Sequence, residues 1–81
     1  MLSCDLHDYI EIVCLYHYPL KLTLHSGAIV TGTADTTCYN DNRQECLVIQ
    51  RKDSKLQVVL DDIALLQVTV ANPHVQQVRF K

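Results

Sequence analysis

Between Leu20 and Ala34 apolar and polar residues alternate. Leu20, Leu22 and Leu24 interleave with Lys21, Thr23 and His25, Ser26-Gly27 breaks the pattern, and a second run extends from Ala28 to Ala34. A period of two puts the three leucines on one face, and Gly27 supplies the positive φ of a tight turn, so the stretch predicts an antiparallel hairpin over one apolar surface. Upstream the period changes. Residues 5–18 contain neither Gly nor Pro, Ser3 or Asp5 is available as N-cap, and Pro19 closes the segment, which predicts a helix over about 5–18. On a helical wheel Leu6, Ile10, Val13 and His17 form the core-facing stripe, flanked by Tyr9 and Cys14. Asp5, Asp8 and Glu11, spaced by three, fall on the other side, with Ile12 and Leu15 projecting among them.

Downstream, residues 36–45 (TTCYNDNRQE) are polar and read as a loop, or as ragged strand ends around a turn at Asn40 to Asn42. In Cys46 to Gln50 the consecutive apolar Cys46, Leu47, Val48 and Ile49 predict a central strand covered on both faces. Lys52-Asp53-Ser54 marks a turn, and Leu56, Val58 and Leu60 alternate in a fourth strand. Asp61-Asp62 is a turn or a single helical turn. Leu66, Val68 and Val70 predict a fifth strand ended by Asn72-Pro73, and Val75 to Phe80 an edge strand with Val78 and Phe80 on one face and Arg79 and Lys81 discouraging edge pairing. Up to the fourth strand the order reads as a meander. The fold class is α+β, mainly β: an N-terminal helix, then over about 20–80 a strongly bent five- to six-stranded antiparallel sheet, or small open barrel, with the helix across one end.

Composition narrows the class. Eighty-one residues, 48% of them hydrophobic, make one domain over 1–81 rather than a linker or a disordered tail. No apolar run approaches the roughly 18 residues of a membrane span, and the N-terminus has no Lys or Arg before Lys21, so it lacks a basic signal-peptide head. A cytoplasmic chain without a membrane partner is expected, its four cysteines reduced. The net charge of −2 is unevenly spread: Asp5, Asp8 and Glu11 open the chain, Arg51, Lys52 and Lys55 cluster in its middle, and Arg79 and Lys81 end it. Charged termini favour a monomer.

The acidic helix face can be read as a solvated surface that complements the positive end of the helix dipole. The company of Ile12 and Leu15 points further, because apolar groups rimmed by one sign of charge form protein-docking patches, here for a basic partner. Cys4-x-x-His7 and Cys14-x-x-His17 have the spacing of paired metal ligands. On one continuous helix, however, ten residues hold the pairs roughly 15 Å apart, too far for one ion, so neither metal nor cofactor is expected. Asp61 and Asp62 point to opposite faces if extended, and nothing places Cys38 beside His25 or His74. With no phosphate-binding loop and no nucleophile elbow, the chain reads as a non-enzyme.

Cys4-Asp5-x-x-Asp8-x-Ile10-Glu11-x-x-Cys14-x-x-His17, then Leu20-x-Leu22-Thr23-Leu24-x-x-Gly27 and Leu60-Asp61-x-Ile63, resemble the bacterial Rof family, also called YaeO, the Rho-binding antiterminators. The resemblance implies an Sm-like barrel with an N-terminal helix. It also implies an inhibitor that binds the N-terminal RNA-binding region of the termination factor Rho and obstructs transcript loading, without binding nucleic acid directly. An RNA-binding surface is basic, and an acidic helix face can occupy it in place of phosphates. Asp5, Asp8 and Glu11 match the family motif as electrostatic contacts; Ile12 and Leu15 come from the wheel as apolar anchors. A second reading is an Sm-like module that binds RNA itself through Arg51, Lys52 and Lys55, although the segment after Ala34 lacks the Asp-x-x-x-Asn pattern of such pockets.

Overall fold

The computed structural model describes residues 4–73 and 76–79, with side chains from His7 onward. Helix α1 (Cys4–Leu15) leads into β1 (Pro19–Leu24), β2 (Ile29–Tyr39), β3 (Glu45–Gln50), β4 (Lys55–Val59), a 3₁₀ turn (Leu60–Asp62), β5 (Ile63–Val68) and β6 (Gln77–Arg79). All six strands form one antiparallel sheet in the order β4-β3-β2-β1-β5-β6. The expected helix followed by an antiparallel sheet is present.

So is the meander of the first four strands. β1 to β4 follow one another as expected, but β5 returns to pair with β1 on the far side. On a flat sheet four strand spacings of about 4.8 Å would separate β4 from β5, roughly 19 Å. Yet three residues of 3₁₀ helix, each rising about 2 Å, connect them. The sheet must therefore bend until the end of β4 meets the start of β5. Leu60 and Ile63 are buried at this join, and the His25 N–H donates to the Asp62 carbonyl at 2.8 Å, tying the 3₁₀ turn to the end of β1.

The leucine alternation in β1 is as predicted, with Leu20 and Leu22 buried and Lys21 exposed. β3 is covered on both faces from Cys46 to Ile49. Ala34, Leu47, Ile49, Leu66 and Val78 join Ile10 and Val13 of α1 in one core. Gly32 marks a close approach that the alternation does not announce: a Cβ there would run into Ile49 Cγ2 and lie 2.9 Å from Gln50 O.

Three local expectations are corrected. The helix stops at Leu15 rather than near Tyr18, because His17 adopts φ 51° and the chain reverses. Tyr18 N then donates to Val13 O (3.1 Å) and His17 N to Cys14 O (3.2 Å), the paired bonds of a Schellman cap with His where Gly is usual. His17 accordingly leaves the core stripe and is exposed. Residues 36–45 take the second of the two expected forms: β2 runs to Tyr39, β3 begins at Glu45, and residues 40–44 make the turn between them. Val70 lies beyond β5 and is exposed. β6 is shorter than the predicted edge strand but buries Val78 as expected. Ser3, Val75, Phe80 and Lys81 lie outside the described residues.

Candidate functional site: the outer face of the helix

α1 forms because its first turns are free of Gly and Pro and its apolar residues recur at helical spacing. Ile10 and Val13 are fully buried against the sheet, and Cys14 packs beside them. Asp8, Glu11 and Leu15, at i, i+3 and i+7, occupy the opposite side; all three are exposed, Leu15 at 71%. Asp5 continues that row one turn earlier along the helix backbone. Ile12 departs from the wheel's expectation: it is half-buried and packs against the core.

What gives this face a fixed direction is the anchoring of both helix ends. Near the N-terminus His7 Nε2 and Glu45 Oε1 of β3 are 2.6 Å apart. At the C-terminus Ala34 N donates to Tyr18 O and His17 Nδ1 donates to Ala34 O, each at 2.9 Å, so β2 holds the cap by both groups of one residue. The Schellman turn also stacks Tyr16 on Tyr18, ring centroids 5.4 Å apart, and leaves Tyr16 half exposed beside Leu15. Sequence reasoning missed Tyr16. The signal available was its aromatic character next to an exposed Leu, since tyrosines are enriched among strong interface contacts.

A cavity of about 450 Å³ opens beside the first half of α1, lined by His7, Tyr39, Arg43, Gln44, Glu45, Leu60 and Asp61. Four of these come from the polar 36–45 stretch, to which the sequence assigned no role. Tyr39 is 69% exposed at its rim. The acidic row and this cavity together make the surface around α1 irregular and mixed in charge rather than uniformly negative.

Other candidate residues lie elsewhere or are engaged. Burial, with the Asp35 carboxylate adding to it, pushes the Cys14 thiol up to about 11, which keeps it neutral and unlike a metal-binding thiolate. His17 is turned to Ala34 and His7 to Glu45. Among the described residues no group of three or more His, Cys, Asp or Glu gathers around a common point. Asp61 and Asp62 sit exposed on the 3₁₀ turn. His25 is at the tip of the β1–β2 hairpin, far along the sheet from Cys38 on β2, and His74 lies outside the described residues. Of the basic cluster, Arg51 and Lys52 are exposed at the β3–β4 turn, whereas Lys55 Nζ lies 2.9 Å from Asp35 Oδ2. Among the described residues no helix is long and apolar enough to cross a membrane.

Comparison with known proteins adds three findings. A family model described as modulator of Rho-dependent transcription termination (ROF) matches residues 1–80. Among solved structures the chain is similar to one described as YaeO bound to magnesium from Vibrio cholerae O395, at 34% identity and a TM-score of 0.88, covering 91% of this chain and 96% of that one. No curated protein matches.

Proposed function

Because the chain belongs to the Rof family of modulators of Rho-dependent transcription termination, which act without catalysing a reaction, we propose that it inhibits termination by occupying Rho's N-terminal RNA-binding region. The contact is the outer face of α1. Asp5, Asp8 and Glu11 take the place of transcript phosphates, Leu15 supplies an apolar anchor, and Ile12 supports the face from beneath rather than contacting the partner on its own. The observation that carries this reading is the exposure of Asp8, Glu11 and Leu15 on one side of a helix whose other side is fully buried. With its ends held to β2 and β3, the face is presented rigidly, so little order has to be imposed on binding. Complementary charge steers the encounter with a basic surface, and desolvated apolar contact slows departure. Such a role places the chain in the cytoplasm with Rho.

The test is a competition. Labelled cytidine-rich RNA bound to Rho is titrated with this protein and followed by fluorescence anisotropy. The proposal expects displacement of RNA from Rho, no signal from RNA mixed with this protein alone, and weaker displacement as salt rises. RNA that stays on Rho at saturating protein would overturn it, and a direct signal with RNA alone would favour the Sm-like RNA-binding reading.

A further inference from the structure

The register of the β2–β3 ladder sets Cys38 directly opposite Cys46. Both side chains project on the same face of the sheet, the one opposite Leu47 and Ile49. Counting back from the turn, Asn40 N donates to Gln44 O, so Asn40 and Gln44 form a hydrogen-bonded pair, and two residues further along each strand Cys38 and Cys46 form the next. Cα atoms of such a pair stand about 5.5 Å apart, inside the 4.4 to 6.8 Å range (about) that a disulfide spans. The Cβ atoms of a hydrogen-bonded pair stand about 5.5 Å apart, so joining them draws the two strands together locally by roughly 1 Å. Both are free thiols, Cys38 half-buried and Cys46 1% exposed.

We propose that Cys38 and Cys46 are an oxidisable dithiol that closes to a cross-strand disulfide when the chain meets a hydroperoxide. Cys38 is the residue that solvent reaches, so its thiolate attacks one peroxide oxygen. The O–O bond breaks, hydroxide or alkoxide leaves, and Cys38 becomes a sulfenic acid. The Cys46 thiolate then attacks the Cys38 sulfur, forming the S–S bond as the S–O bond breaks and a second hydroxide leaves. The two sulfurs together lose two electrons, the peroxide gains two, and the two thiol protons end on the leaving oxygens, as two waters from hydrogen peroxide or as one water and one alcohol from an organic hydroperoxide. Burial, with Cys38 adding to it, pushes the Cys46 thiol up, which disfavours it for the first attack. Cys14 is on the helix, on another side of the β2 strand, and takes no part.

The inference is independent of Rho and is tested on the free chain. Full-length protein is treated with one equivalent of hydrogen peroxide, and thiols, intact mass and disulfide-linked peptides are measured. Two of the four cysteine thiols are expected to disappear, with a loss of about 2 Da, a Cys38–Cys46 linked peptide and full reversal by dithiothreitol. Cys38→Ser, at a half-exposed position that tolerates the change, should abolish the linked peptide, and Cys14→Ser should leave its yield unchanged. Linkage of Cys38 to Cys14 or Cys4, a disulfide between two chains, or sulfinic acid at Cys38 with Cys46 still a thiol would each overturn it.

Discussion

The β1–β2 and β2–β3 hairpins close with the same backbone turn built from different residues. In the first, Gly27 N donates to Leu24 O and Leu24 N to Ala28 O, both at 2.9 Å; in the second, Arg43 N donates to Asn40 O at 2.9 Å and Asn40 N to Gln44 O at 3.0 Å. Each turn ends on a residue in the left-handed region, Gly27 at φ 93° and Arg43 at φ 62°. Glycine adopts that conformation freely, whereas a side chain such as arginine's is held there at a cost of about 1 kcal/mol. The second turn offsets the cost with Asn40, whose Oδ1 accepts from Asn42 N and Gln44 N at 2.9 Å each and whose Nδ2 donates to Gln44 Oε1 at 3.0 Å. The difference is one of position. The glycine turn stands at the other end of β2, while Arg43 of the second turn lines the cavity beside α1. Strain of this kind persists only where neighbouring bonds hold it, here those of Asn40.

The largest effect should follow from removing glycine from the first turn. Gly27→Val has no steric neighbour to meet but forces a β-branched residue into the left-handed region, and is expected to cost about 2 kcal/mol, a fall of roughly 10 °C in Tm. Thermal denaturation reads this directly, and an unchanged Tm would mean that φ at Gly27 is no constraint. Rho binding by the folded protein should be unaffected, since this hairpin lies away from α1. Asp8→Lys should do the reverse, weakening Rho binding at least tenfold, about 1.4 kcal/mol, with no loss of Tm. Unchanged affinity in this folded variant would remove the acidic face from the mechanism.

Smaller effects probe the second turn. Asn40→Ala deletes the acceptor for two backbone N–H groups at an exposed site and should lower stability by about 1 kcal/mol in urea denaturation. If it does not, the Asn40 clamp is not what sustains the Arg43 conformation. Arg43→Gly should raise stability by about 0.5 kcal/mol, relief of φ strain outweighing the extra freedom of the unfolded chain. A loss of stability would show that the Arg43 side chain contributes contacts worth more than the strain it imposes.

The two turns also show why the hairpins were unequally legible. Gly27 between two alternating runs is a local signal, and the β1–β2 hairpin follows from it. The Arg43 turn carries no glycine, and Asn40, Asp41 and Asn42 read equally well as loop, so the extent of β2 and β3 was not apparent. The acidic row of α1 was legible because helical spacing alone separates Asp8, Glu11 and Leu15 from Ile10 and Val13. The burial of Ile12 and the exposure of Tyr16 and His17 were not, because they depend on the core the helix packs against and on a cap held by Ala34 of β2.

By itself the sequence determined the period of each element, the inward leucines of β1, the doubly covered β3 and the residues offered on the outside of the helix. These are set by side chains within a few positions of one another. Only the tertiary structure decided that β5 crosses back to β1, how far β2 and β3 extend into the 36–45 stretch, and that Cys38 meets Cys46. Each of those rests on which strand pairs with which and in what register, and that is settled by burying one common core, not by any local run of residues.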